Sequence, residues 1–336
     1  MTDHVPDALR ARYRTPEQIA AHGAIGNLGE GPEITTHGLP TRLIAWPGTG
    51  YRTEAVHVLT LAPGVESERY AYELAEEAFL CFSGTGEVWL RDRWVTMRPG
   101  DVAYLPEGTE RALRNPTGNA EPFVAVTQIT PPQFDLYADR GLYDVDLGVM
   151  SSEAMAKVTV NAQAVALPAE SRLAFHDTEP DVRAWSLSRE DVRRDGALFN
   201  VEMGAAFSGI GLPMRLILWP GAGSRTAGFN YAYAADGVQD VIHTHPVSDE
   251  CLVMWSGRGS FFMGDRWVPA RAGDCVLAPC GVPHGHRSDG PAVFGGFASP
   301  PQLDLLLPTE YYANGRFTAP EATRLDVGAL VRENAP

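Results

Sequence analysis

Between residues 237 and 284, three histidines and a glutamate have types and spacing that could do chemistry together. His243-Thr-His245 sets two imidazoles at i and i+2, the separation that shares one face of a β-strand. Glu250 follows a turn-like Pro246-Val247-Ser248-Asp249, and His284 follows Pro279-Cys280-Gly281 on a later strand. Three neutral imidazoles and one carboxylate suit a divalent first-row metal ion.

The glycines and proline around these residues carry a resemblance. Gly237, His243, His245, Glu250 and Gly257 fall in the pattern G-x5-H-x-H-x4-E-x6-G, and Gly273, Pro279, Gly281 and His284 in G-x5-P-x-G-x2-H. Nine residue types at these spacings resemble the two motifs of the cupin superfamily. The resemblance implies that His243, His245, Glu250 and His284 bind one divalent ion inside a jelly-roll barrel. Fe(II) and Mn(II) are the favoured ions, with Ni, Cu or Zn as alternatives.

To position such a site the chain must build a barrel, and the sequence writes one twice. Leu39-Pro-Thr-Arg-Leu-Ile-Ala-Trp-Pro-Gly48 returns as Leu212-Pro-Met-Arg-Leu-Ile-Leu-Trp-Pro-Gly221, 173 residues on. The same offset pairs Glu77 with Glu250, Gly84 with Gly257, and Asp92-Arg-Trp-Val95 with Asp265-Arg-Trp-Val268. After a short deletion, Pro131-Pro-Gln-Phe-Asp realigns with Pro300-Pro-Gln-Leu-Asp. Short β-rich runs (55–61, 78–82, 87–90, 102–105, 123–129), punctuated by Gly and Pro, fit an antiparallel jelly roll. The expected fold is all-β: two tandem jelly-roll cupin barrels, a bicupin, with a few short helices.

The expected organisation is an N-terminal arm (1–34), a first barrel (35–139), a linker and decorating arm (140–205), a second barrel (206–310) and a tail (311–336). The arm holds a capped helix start at Thr15-Pro16-Glu17, and the linker a short helix over 188–194 and a strand over 158–160. A further helix is expected over 302–307.

The first barrel keeps the scaffold and loses the ligands. Tyr70, Tyr72 and Arg111 stand where the second barrel has His243, His245 and His284; only Glu77 persists. A guanidinium has no lone pair to offer a cation, so this barrel is expected to be metal-free, with Arg111 facing Glu77 inside it. Arg42/Arg215 and Trp46/Trp219 occur in both repeats and read as packing or interface residues. Residues special to the second barrel read as pocket residues: His286, two positions beyond His284, together with Tyr233 and Arg287 as candidate catalytic groups, and Leu252 and Met254 on the inner face with Glu250.

Ligand spacing leaves the reaction open. Quercetin and gentisate dioxygenase-type bicupins are similar, and the run 264–274 is loosely like that of ureidoglycine aminohydrolase, a Mn-dependent bicupin. The leading expectation is a mononuclear non-haem Fe(II)/Mn(II) dioxygenase acting on a small polar or aromatic molecule. The alternatives are a redox-neutral hydrolase or isomerase, and a non-catalytic cupin that binds a small ligand.

Composition narrows the partners. A formal charge of −15 argues against nucleic acid or an anionic membrane surface, and no apolar run is long enough to span a bilayer. The first residues lack the basic and apolar regions of a signal peptide. Cys81, Cys251, Cys275 and Cys280 show no CxxC spacing, which reads as free, mostly buried thiols in a reducing cytoplasm. The expected partners are a small-molecule substrate and a second copy of the chain in a homodimer.

Overall fold

The structure is a computed structural model that describes residues 5–139, 141–144, 149–150, 173–209, 212–301, 312–313 and 316–317. The strand expected over 158–160 and the helix over 302–307 lie outside the described residues.

Each repeat builds a seven-stranded antiparallel sheet faced by a three-stranded one. In the first barrel the large sheet runs Ala197–Asn200, Asp101–Leu105, Glu76–Ser83, Phe123–Thr130, Ala55–Leu61, Leu39–Ala45, Glu33–Thr36. The small sheet is Arg93–Met97, Gly86–Leu90, Leu113–Arg114. The second barrel repeats this order, with Ala24–Asn27, Asp274–Ala278, Asp249–Ser256, Ala292–Ser299, Gly228–Ala234, Leu212–Leu218 and Ala205–Gly209 in its large sheet. Its small sheet is Arg266–Arg271, Arg258–Met263, His284–Ser288. The all-β, two-barrel architecture expected from the repeat is what the chain folds into.

Strand alternation decides which residues serve which core. On Glu76–Ser83, Phe79 and Cys81 point into the first barrel, while Ala78, Leu80 and Phe82 point out. On Asp249–Ser256, Leu252 and Met254 point into the second barrel, while Cys251, Val253 and Trp255 point out. The outward sets meet in one core between the large sheets, joined by Tyr104, Phe229 and Phe297. These strands are buried on both faces, which is why they read as continuous apolar runs rather than alternating ones.

The opening segments of the two repeats are exchanged. Ala24–Asn27, in the N-terminal arm, pairs with Asp274–Ala278 of the second barrel. Ala197–Asn200, in the segment read as linker, pairs with Asp101–Leu105 of the first. Each follows a seven-residue helix, Pro16–His22 and Arg189–Asp195, N-capped by Thr15 and Ser188 respectively. Both helices end at a glycine with positive φ, Gly23 at 66° and Gly196 at 76°. The duplication thus extends N-terminal of the Leu39–Gly48/Leu212–Gly221 correspondence visible in sequence. The crossing strands cover what would be bare sheet edges.

Candidate metal centre

His243 and His245 do not sit in a regular strand as the i, i+2 spacing predicts. They lie on an extended run anchored by one isolated bridge, in which His243 N–H and His284 N–H each donate to the other's carbonyl at 3.0 Å. Gly281, with φ 85°, donates its N–H to the His245 carbonyl at 2.9 Å and turns the chain into His284, first residue of His284–Ser288. Glu250 is second in Asp249–Ser256. These segments bring one donor atom from each of His243, His245, Glu250 and His284 within 4.8 Å of one another. Among the described residues this is the one group of His, Cys, Asp and Glu so gathered.

The donor atoms are oriented as well as close. His243 Nδ1 lies 2.7 Å from the Val241 carbonyl and His284 Nδ1 2.8 Å from the Val282 carbonyl. Carbonyls only accept, so both Nδ1 atoms carry the proton and each Nε2 is left a lone pair when the ring is neutral. Glu250 Oε2 stands 2.8 Å from His284 Nε2 and 3.1 Å from His245 Nε2. Ligands bound about 2.1 Å from one ion at right angles stand about 3 Å apart, so the set fits a divalent ion. Burial opposes ionisation of Glu250, and donation from His245 and His284, when those rings carry a second proton, holds the carboxyl well below the usual range. Burial, then the neighbouring His284, lowers His243 to about 4, so its ring is neutral at physiological pH.

Around and below the quartet the wall is apolar: Leu252, Met254, Phe261, Met263, Val282 and Phe294 are buried in the second-barrel core. Phe262, of opposite parity to Phe261, packs on Trp267 instead. His286 points inward, fully buried, with its ring 3.7 Å from that of Phe294. Its backbone N–H donates to Asp240 Oδ1 at 2.6 Å. Burial lowers the His286 ring to about 3 and pushes the Asp240 carboxyl up to about 7, with Glu250 adding to the latter.

Two of the expected pocket residues stand elsewhere. Tyr233 is 45% exposed, and its hydroxyl meets Glu202. Arg287 lays its guanidinium over the Trp267 ring at 4.9 Å, on the outer face of the small sheet. Alternation accounts for both: Ala232 and Ala234 take the inward positions beside Tyr233, and His284 and His286 those beside Arg287. The same parity argument, applied strand by strand, excludes them from sequence alone.

Three contributors escaped the sequence reading. Asp240 is one. Gly296 is another: a Cβ there would stand 2.6 Å from Glu250 Oε1, so the missing side chain leaves that oxygen uncovered. The third is Tyr51 of the first barrel, whose hydroxyl donates to the Glu250 carbonyl. Gly296 and Tyr51 lie outside the two motifs, and Asp240 falls at one of the unspecified positions of G-x5-H, so no local spacing signals them. Of the four thiols read as mostly buried, Cys280 is exposed, with its thiol on the Pro246 carbonyl at 2.9 Å.

The first barrel contains the predicted substitution. Arg111 and Glu77 are both buried and meet at 3.5 Å. Tyr70 donates to Glu77 Oε2 at 3.0 Å and Thr127 to Oε1 at 2.9 Å.

Comparison with known proteins agrees with this architecture. The Cupin_2 family model, described as a cupin domain, matches residues 57–126 and again 231–296. Among solved structures, the Escherichia coli protein Ylba superposes with a TM-score of 0.55 at 12% identity, covering 83% of this chain and 91% of that one. A putative glyoxylate-induced protein from Pseudomonas aeruginosa gives 0.53 at 17% identity, covering 80% and 83%. A deletion mutant of Bacillus subtilis oxalate decarboxylase gives 0.51 at 16% identity, covering 83% and 77%. A search of curated proteins finds no match. At these identities the structural likenesses speak for fold alone. With one family match in each repeat and a barrel folded around each, the chain belongs to the cupin superfamily and is a two-barrel member of it.

Proposed function

We propose that this protein is a metal-dependent enzyme with one centre per chain, in the second barrel, and that it acts as a mononuclear non-haem dioxygenase on a small polar or aromatic molecule. The observation that carries the reading is the convergence of three imidazoles and a carboxylate within 4.8 Å inside an apolar-walled barrel. His243, His245, Glu250 and His284 would hold the ion. Fe(II) or Mn(II) held there would supply Lewis-acid polarisation and redox chemistry toward dioxygen. The protein's own part is positional. The Val241 and Val282 carbonyls fix the imidazole tautomers, Gly296 keeps Glu250 Oε1 uncovered, and Leu252, Met254 and Phe294 form a wall that limits water.

A redox-neutral reading, hydrolysis or isomerisation, draws on Asp240. Its buried carboxyl, pushed up to about 7, is poised to exchange a proton near neutral pH. The two readings separate on oxygen. Protein loaded with Fe(II) is mixed anaerobically, then aerobically, with a panel of small aromatic and polar compounds while dissolved oxygen is followed. One O2 consumed per product formed supports the dioxygenase. Equal turnover with and without oxygen replaces it with the redox-neutral enzyme.

A further inference from the structure

The barrels hold each other by two matched clasps. In each, the residue before the central glutamate reaches into a loop of the other barrel. Asp249 Oδ2 accepts from Arg52 N–H (2.7 Å), Thr53 N–H (2.8 Å) and the Thr53 hydroxyl (2.9 Å). Glu76 Oε2 accepts from the N–H groups of Thr226 and Ala227 at 2.8 Å and from the Thr226 hydroxyl at 3.0 Å. Arg225 N–H donates to Glu76 Oε1 at 2.8 Å.

The clasps differ in what else they touch. The loop donated by the first barrel carries Tyr51, 1% exposed. Its hydroxyl donates to the Glu250 carbonyl at 2.5 Å and accepts from Ala278 N–H at 3.0 Å. Glu250 and Ala278 are register partners on adjacent strands, so the phenol bridges the sheet at the position of a metal-binding side chain. The equivalent of Tyr51 in the other loop is Ser224, whose hydroxyl turns back to the Ala227 carbonyl of its own loop at 2.7 Å. The second oxygen of Asp249 accepts Cys280 N–H at 2.9 Å, in the turn leading to His284. Through these contacts the first barrel holds the backbone of Glu250 and the approach to His284 at once.

We propose that Tyr51, acting with Asp249, is a positioning residue for the metal centre, so that the first barrel is part of that centre although it contributes no ligand. The inference rests on the reading of the quartet as a metal site. Side chains that orient ligands from behind typically change metal affinity ten- to a hundredfold when removed. A merely structural role for the clasp predicts no such selectivity, because the twin clasp is built from the same kinds of contact.

The test titrates the full-length apo-protein with Mn(II), following free Mn(II) by electron paramagnetic resonance, alongside thermal melting. Tyr51→Phe keeps the ring in its core and removes the hydroxyl. Its control is Tyr104→Phe, which removes a buried hydroxyl from the other clasp, where it donates to Glu76 Oε1 at 2.6 Å. The expected result is a ten- to hundredfold weaker Mn(II) affinity in Tyr51→Phe and wild-type affinity in Tyr104→Phe, at similar melting temperatures. Equal affinities in the two variants overturn the inference while leaving the metal site standing. Should Tyr51→Phe fail to fold, Asp249→Asn against Glu76→Gln makes the same comparison, and equal affinities there overturn it as well. Wild type that binds Mn(II) no better than His284→Ala overturns the metal site and the inference together.

Discussion

At the same four places, the two barrels hold opposite chemistry. In the second, Glu250 Oε2 faces the Nε2 atoms of His245 and His284, so acceptors converge on a point. In the first, Glu77 meets donors: Tyr70, Thr127 and Arg111. The remaining Arg111 donors go to the carbonyls of Pro106 at 2.8 Å and Thr109 at 3.0 and 3.1 Å. The position of Thr127 against Phe79 is that of Gly296 against Leu252, so one barrel covers the far carboxylate oxygen and the other exposes it. Burial raises Glu77 above the usual carboxylate range even with Arg111 beside it. One scaffold therefore yields either a self-satisfied plug or a set of lone pairs calling for a cation. The choice turns on whether neighbours of the conserved-position glutamate donate or accept.

The sharpest way to break this contrast is to remove an acceptor. His284→Ala is expected to take metal content from about one ion per chain to near zero, read by elemental analysis of protein purified without added metal. Two ions per wild-type chain would refute the donor-filled reading of the first barrel. Next in size, Arg111→Ala strands a buried carboxylate and is expected to cost about 3–5 kcal/mol, seen as a large drop in melting temperature. Wild-type melting would mean that Glu77 is satisfied without the guanidinium.

A third test uses His57, buried in the first barrel against the Tyr137 hydroxyl at 3.0 Å, where the second barrel has Asn230. Burial lowers His57 to about 3 from an ordinary 6.5, so between those values only the unfolded chain binds its proton. Stability is therefore lost as pH falls below about 6.5, with this ring accounting for on the order of 3 kcal/mol by pH 4. His57→Asn should flatten the acid limb of a melting-temperature profile relative to wild type; parallel profiles would reject the assignment. The smallest effect is expected from Gly296→Thr, which installs the first barrel's residue over Glu250 Oε1. Mn(II) affinity should fall about tenfold, measured by the same titration, and an unchanged affinity would show that this oxygen need not be free.

What the sequence by itself determined is whatever depends on spacing along one strand or on self-similarity. The quartet, the duplication, the inward parity of Leu252 and Met254 and the Arg111–Glu77 substitution are of this kind, because side-chain direction follows from position in an extended chain; the Thr15 cap was legible from a local helix-start signal instead. Tertiary structure alone decided which strands cross between barrels, that Gly296 lies over Glu250, and that Tyr51 bridges Glu250 to Ala278 from 199 residues away. Those contacts form where two curved sheets pack face to face. The pairing of distant surfaces follows from how whole faces fit together, and no short stretch of sequence encodes it.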